Sequence, residues 1–145
     1  MFWKSLGVLV AMFAFSGSLM AQNEPFLGIW ELKTEAQTQM IIATPAAGGG
    51  FTDIRLTIGK DNKASSENHP VVFDGKPYQT TGGDARLISY KRIDANTMER
   101  TQNRNGAITV DTETVSPDGK TLTIKQATGA PRVYTKLFNV QELGH

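Results

Sequence analysis

From residue 86 to residue 138 the chain alternates in polarity over short runs, and each run ends in the chemistry of a tight turn. The runs are RLISYKRI (86–93), TMERTQN (97–103), AITVDTETVS (107–116), TLTIKQA (121–127) and RVYTKLF (132–138). Between them lie Asp94-Ala95-Asn96, Asn105-Gly106, Pro117-Asp118-Gly119 and Gly129-Ala130-Pro131. A period of two places alternate side chains on opposite faces of a strand. Asn-Gly suits a type I′ hairpin, whose two central residues both need positive φ, and Pro-Asp-Gly suits a type I turn followed by a glycine bulge. Five strands joined this way form an antiparallel meander, and no helical run is long enough for a parallel crossover.

Upstream, FLGIWELKT (26–34) sets Phe26, Gly28, Trp30 and Leu32 on one face and Ile29, Glu31 and Lys33 on the other. TDIRLTI (52–58) brings Ile54, Leu56 and Ile58 together; PVVFD (70–74) and the residues around Tyr78–Thr80 read as weaker strands. Gln39–Ala43 is compatible with a strand or with one helical turn. Pro45 with Gly48-Gly49-Gly50, and Thr81-Gly82-Gly83-Asp84, read as loops. The expected fold is all-β, an antiparallel up-and-down β-barrel of about eight to ten strands, because a sheet of that size must curl to protect its edges. A two-sheet sandwich meets the same need, but sequential hairpins favour the barrel.

The first residues read differently. Lys4 supplies a positive charge, Leu6–Phe15 is an uncharged apolar run, and Ser16–Ala21 consists mostly of small residues. That order is the signature of a secretory signal peptide, too short for the roughly 20 residues of a membrane span. Residues 1–21 are therefore expected to be removed, leaving residues 22–145 as one exported, periplasmic or secreted barrel domain with no stable membrane insertion. A domain of about that length can bury a core without staples, and the 145-residue chain has no cysteine to make any.

Two terminal motifs carry a family resemblance. Phe26-Leu27-Gly28-Ile29-Trp30-Glu31-Leu32 resembles the opening strand of the calycins, the lipocalins and intracellular fatty-acid-binding proteins, in which Gly28 and Trp30 would close one end of the barrel. Arg132-Val133-Tyr134-Thr135-Lys136 resembles the last strand of fatty-acid-binding proteins, which implies that Arg132 and Tyr134 point inward and hold a ligand carboxylate. The chain as a whole resembles a family of exported bacterial lipocalin-like proteins through PAAGGG (45–50), FDGKPYQTTG (73–82), YKRIDANTMERT (90–101), VSPDGKTLTI (115–124) and VYTK (133–136). That family implies a fold rather than an activity. Between Trp30 and Pro45 the chain shows no sign of the helix-turn-helix lid found in fatty-acid-binding proteins.

The chemistry is restricted. With 15 Lys+Arg against 14 Asp+Glu, a nucleic-acid partner is not expected. His69, just before Pro70 at an expected strand start, and the terminal His145 have no ligand spacing, so neither a metal nor a cofactor is expected. Asp111 and Glu113 share a face in the manner of a glycosidase pair. Lying opposite Ile108, Val110 and Thr112, however, they are expected to face solvent. No serine sits in a nucleophile elbow, and no catalytic residue is assigned. On the last strand, alternation alone would turn Val133, Thr135 and Leu137 inward, whereas the resemblance implies that Arg132, Tyr134 and Lys136 do so. Met98, Arg100 and Gln102 share a face that would be expensive in a dry core but suits a wet cavity. The expected function is non-enzymatic binding of a small apolar, carboxylate-bearing molecule by Arg132, Tyr134 and Arg100. The alternative is a ligand-free structural or interaction module, and the volume of the lumen separates the two.

Overall fold

The computed structural model describes residues 24–140 and consists of ten antiparallel strands. These are β1 (Gly28–Lys33), β2 (Gln37–Pro45), β3 (Phe51–Gly59), β4 (Ala64–Val71), β5 (Tyr78–Gln79), β6 (Leu87–Asp94), β7 (Thr97–Arg104), β8 (Ala107–Val115), β9 (Thr121–Lys125) and β10 (Arg132–Phe138). They form one sheet in the order β4-β3-β2-β1-β10-β9-β8-β7-β6-β5. The free edges of β4 and β5 approach each other at an Asn68–Thr81 bridge with two backbone hydrogen bonds of 2.8 and 3.1 Å. The result is a nearly closed up-and-down barrel. The expected leader, residues 1–21, lies outside the described residues. Among the described residues no helix is long and apolar enough to cross a membrane.

Local chemistry accounts for most of the strand ends. Asn105 and Gly106 have φ of 52° and 89°, as a type I′ hairpin needs, and Gly119 has φ 70° after a turn closed by its N–H to the Ser116 carbonyl at 2.8 Å. Gln39–Ala43, compatible at first with either conformation, lies within β2. The stretch 34–36 is a tight turn in which the Thr34 hydroxyl accepts the Ala36 and Gln37 amides at 3.3 and 3.1 Å. β1 therefore runs straight into β2 with no helical lid between them.

One strand expectation needs correction, and one strand face is settled by burial. The strand placed at residues 70–74 actually runs over Ala64–Val71, six residues earlier. ASSENHPV carries few apolar residues, so hydrophobic alternation does not reveal it. In β3, Ile54, Leu56 and Ile58 do share a face, but Phe51 and Asp53 are the buried residues. The inner face is thus the other one.

The barrel interior changes character along its axis, and each long strand repeats the gradient. β3 presents Phe51, Asp53, Arg55 and Thr57 in turn; β7 presents Met98, Arg100, Gln102 and Arg104; β8, read backwards, presents Val115, Glu113, Asp111 and Thr109. One end is an apolar plug. There Phe26 stacks on Phe51 with centroids 6.3 Å apart, Phe51 meets Phe73 at 6.1 Å, and Val71, Met98, Val115 and Leu122 fill the remainder. Arg92 lies over the Phe73 and Phe26 rings and pairs with Glu24, covering this plug. The middle is a belt of buried charge, and the opposite end is open.

Trp30 is fully buried next to the plug. Its indole N–H donates to the Phe26 carbonyl at 2.9 Å, and the Lys136 ammonium sits 4.5 Å from its ring centre. Gly28, at φ 134°, stands beside the bulge where β1 meets β10; a Cβ there would lie 2.5 Å from the Phe138 carbonyl oxygen. Only glycine tolerates that backbone and that approach.

Candidate functional site

The open end of the barrel holds a cavity of about 540 Å³, within the range of small-molecule sites. Five arginines contribute to its wall: Arg55, Arg86, Arg100, Arg104 and Arg132. Their surroundings differ, and the difference defines the site.

Arg55 and Arg100 belong to the belt beneath the cavity. Arg55 Nη2 donates to Asp53 Oδ2 at 2.6 Å and to both Glu113 oxygens at 2.8 and 3.0 Å. Arg100 pairs with Asp111 and lies 3.4 Å from Glu113, while the Gln102 amide donates to Asp111 at 2.8 Å. Burying such charges is tolerable only when each is paired and hydrogen-bonded. Burial alone would push the Glu113 carboxyl up, but Arg55 and Arg100 hold it below its ordinary range. For Asp53 burial prevails over the Arg55 charge and raises it; its Oδ1 has no partner among the described residues.

This belt corrects one expectation. Asp111 and Glu113 do not face solvent; each is 1% exposed, whereas Ile108 on the same strand is 66% exposed. The charged face of β8 points inward because Arg100 and Arg55, on β7 and β3, wait there for it. Arg100, expected at the ligand site, lines the cavity, with its guanidinium paired to Asp111 and 3.4 Å from Glu113.

His69 lies near the end of β4 rather than at a strand start, and it is fully buried. Its Nε2 is 3.0 Å from Glu67 and its Nδ1 is 3.3 Å from the Tyr90 hydroxyl. Both partners are satisfied when the proton is on Nε2 and Tyr90 donates to Nδ1. Burial, reinforced by Arg55, Arg100 and Arg86, lowers its pKa to about 2, so the imidazole is neutral. Glu67 also pairs with Arg86 across the gap between β4 and β6. Among the described residues no three His, Asp or Glu side chains are grouped to hold a metal ion.

Arg132 is different. Among the described residues no carboxylate comes within 4 Å of it, whereas Arg55, Arg86 and Arg100 are paired and Arg104 lies 3.6 Å from Asp84. β10 turns Arg132, Tyr134 and Lys136 inward and leaves Val133 and Leu137 exposed, against the bare apolar alternation. Burial raises the Tyr134 phenol, which keeps it a donor. Tyr134 donates to Gln39 Oε1 at 2.6 Å, and Arg132 Nη1 donates to the same oxygen at 3.3 Å. Two donors, one of them cationic, thus converge on one acceptor at the cavity wall.

Of the residues expected at the site, the fold brings Arg132 and Tyr134 together on Gln39 and sets Arg100 apart in the belt. Hydrophobic alternation missed Gln39, Asp53, Arg55, Glu67 and Arg86. A signal was present in Asp53-x-Arg55, Glu67-x-His69, Arg100-x-Gln102 and Asp111-x-Glu113: polar pairs two residues apart share a strand face, and the acids of the last pair meet Arg55 and Arg100 of the others.

An antiparallel ten-stranded barrel, plugged at one end and open to a cavity at the other, is the calycin architecture of fatty-acid-binding proteins. A Schistosoma mansoni fatty-acid-binding protein, solved in complex with arachidonic acid, matches with a TM-score of 0.54 over 81% of this chain and 99% of its own, at 18% identity. At that identity the likeness speaks for the fold. No family model matches the chain, and no curated protein does.

Proposed function

We propose that the protein is a non-enzymatic binder of a small carboxylate-bearing molecule, held in the barrel by Arg132 and Tyr134. The observation that carries this reading is the convergence of both groups on Gln39 Oε1, at 3.3 and 2.6 Å. A guanidinium and a phenol aimed at one oxygen recognise a carboxylate well, more so in a partly desolvated cavity. The amide oxygen of Gln39 occupies that place within the chain, and a ligand carboxylate takes it over. A lumen of about 540 Å³ favours binding over a ligand-free module. The clamp itself recognises only the carboxylate.

The test is a titration of the purified protein, followed by backbone amide shifts, with acyl and hydroxylated monocarboxylates, each beside its uncharged alcohol or amide. At least one acid should saturate, with shifts centred on Gln39, Arg132 and Tyr134. A charge-assisted hydrogen bond contributes roughly 1.5–3 kcal/mol, so Arg132→Gln should weaken that acid about tenfold or more. The uncharged counterpart should change little. If no acid of either kind saturates, or if acid and neutral analogue suffer alike, the clamp does not exist.

We also propose that the protein works outside the cytoplasm. The support is the order of charge, apolar run and small residues over 1–21. Expressed with those residues in a bacterial host, the protein should leave the cytoplasm with a new terminus near Gln22. Recovery of intact, cytoplasmic chain alone would exclude export.

A further inference from the structure

We infer that the body of the ligand is hydrophilic, that of a polyhydroxylated monocarboxylic acid such as a sugar acid rather than an acyl chain. This rests on the carboxylate clamp proposed above and says what the carboxylate is attached to.

Three observations carry it. First, the cavity lining carries six hydroxyl and amide side chains, Gln39, Thr57, Ser65, Gln102, Thr109 and Gln126, interspersed with the apolar Met40, Ile41, Leu56 and Ala107. Ile41 and Tyr134 are the lining residues that belong to the buried core. An acyl chain there would strip water from these groups without replacing the hydrogen bonds. A hydroxylated ring or chain exchanges those bonds one for one. The carbon stems of Arg55, Arg100 and Arg132 offer it surface for its C–H faces.

Second, the apolar part of the barrel is closed to a ligand from this side. The plug of Phe26, Phe51, Val71, Met98 and Leu122 lies beyond the paired charges of Asp53, Arg55, Arg100 and Glu113. A chain seeking that surface would have to break a buried ion-pair network. The lumen cannot be read as a greasy tunnel with a charged end.

Third, the pairing of the wall arginines leaves one local place for a carboxylate. Arg55, Arg86, Arg100 and Arg104 each have a carboxylate within 3.6 Å, and Arg132 has none within 4 Å among the described residues. One arginine without a close carboxylate suits one carboxylate; a second anionic group on the ligand would meet only arginines already paired.

The experiment compares gluconate, glucuronate and quinate with octanoate and decanoate on the purified protein, by calorimetry and amide shifts. At least one hydroxylated acid should bind saturably, and both acyl acids should bind at least tenfold more weakly. Thr57→Val and Gln126→Leu each remove a polar group at nearly constant size and should weaken the hydroxylated acid threefold or more without weakening octanoate. If an acyl acid binds as tightly as any hydroxylated acid and depends on Arg132, the hydrophilic body is refuted while the clamp survives. If neither class saturates, the clamp fails and this inference fails with it. If a hydroxylated acid binds but both variants leave it untouched, it does not occupy this cavity and the assignment is wrong.

Discussion

His69 shows how a single side chain is conditioned by a barrel interior. Its neighbours across the lumen include Arg55, Arg86 and Arg100, so protonation would add a fourth positive charge to a site already removed from water. The folded pKa is about 2, against an ordinary value of 6.5. Below pH 6.5 the unfolded chain takes up a proton that the folded chain refuses, so this group favours the fold above pH 6.5 and weakens it progressively towards pH 2. The limiting slope is about 1.4 kcal/mol per pH unit. Urea unfolding between pH 7 and pH 5 should therefore show stability falling with acid, and His69→Gln should flatten that dependence. At lower pH Glu113 adds to the loss as its carboxylate is titrated, while Asp53, with a raised pKa, opposes it. An unchanged slope in His69→Gln would mean that the ring is charged or solvated. None of this is legible around residue 69 in the sequence, since all three arginines come from β3, β7 and the segment before β6.

At the scale of an element, β8 is the most instructive. Its apolar residues Ile108 and Val110 are exposed and its acids Asp111 and Glu113 are buried, the reverse of an ordinary half-buried strand. The inversion is enforced by β7 and β3, which hold Arg100 and Arg55 at matching heights. Removing one member of a buried charge network leaves the others uncompensated, at a cost of about 3–5 kcal/mol. Glu113→Leu should therefore cost about that much in chemical denaturation despite adding hydrophobicity. Val110→Ser, on the outward face, should change stability by about 0.5 kcal/mol or less. Equal effects from the two would mean that β8 is registered the other way. Polarity alone assigns β8 the wrong face, whereas β10 is assigned its observed face by the R-x-Y-x-K resemblance.

For the whole molecule, the critical place is the seam. Every other neighbouring pair of strands shares a ladder, but β4 and β5 meet at the Asn68–Thr81 bridge, helped by the Arg86–Glu67 pair. Low local contact and short ladders set the weakest unit of a cooperative fold. Amides of residues 78–84 should thus exchange with solvent faster than those of β2, β7 and β8. Arg86→Gln should accelerate them about tenfold, the effect of losing roughly 1.4 kcal/mol of local stability. Protection at the seam equal to that of β7 would show a barrel closed more firmly than its hydrogen bonds indicate.

Legible in the residues alone were an all-β barrel of about eight to ten strands, the meander from residue 86 to residue 138, the turns at Asn105-Gly106 and Pro117–Gly119, and the glycine–tryptophan opening of β1. These depend on φ preferences and a two-residue period, which act between neighbours in the chain. Contacts across the closed barrel set which face of β3 and β8 turns inward, where β4 begins, and that Arg132 and Tyr134 meet on Gln39. Alternation says that a strand has two faces without saying which is buried. When an interior is built from ion pairs, the choice rests with partners far away in sequence, as Glu113 is 58 residues from Arg55 and Gln39 is 93 from Arg132. Closing the barrel brings these groups together, and their mutual compensation in a medium that penalises lone charge selects the face.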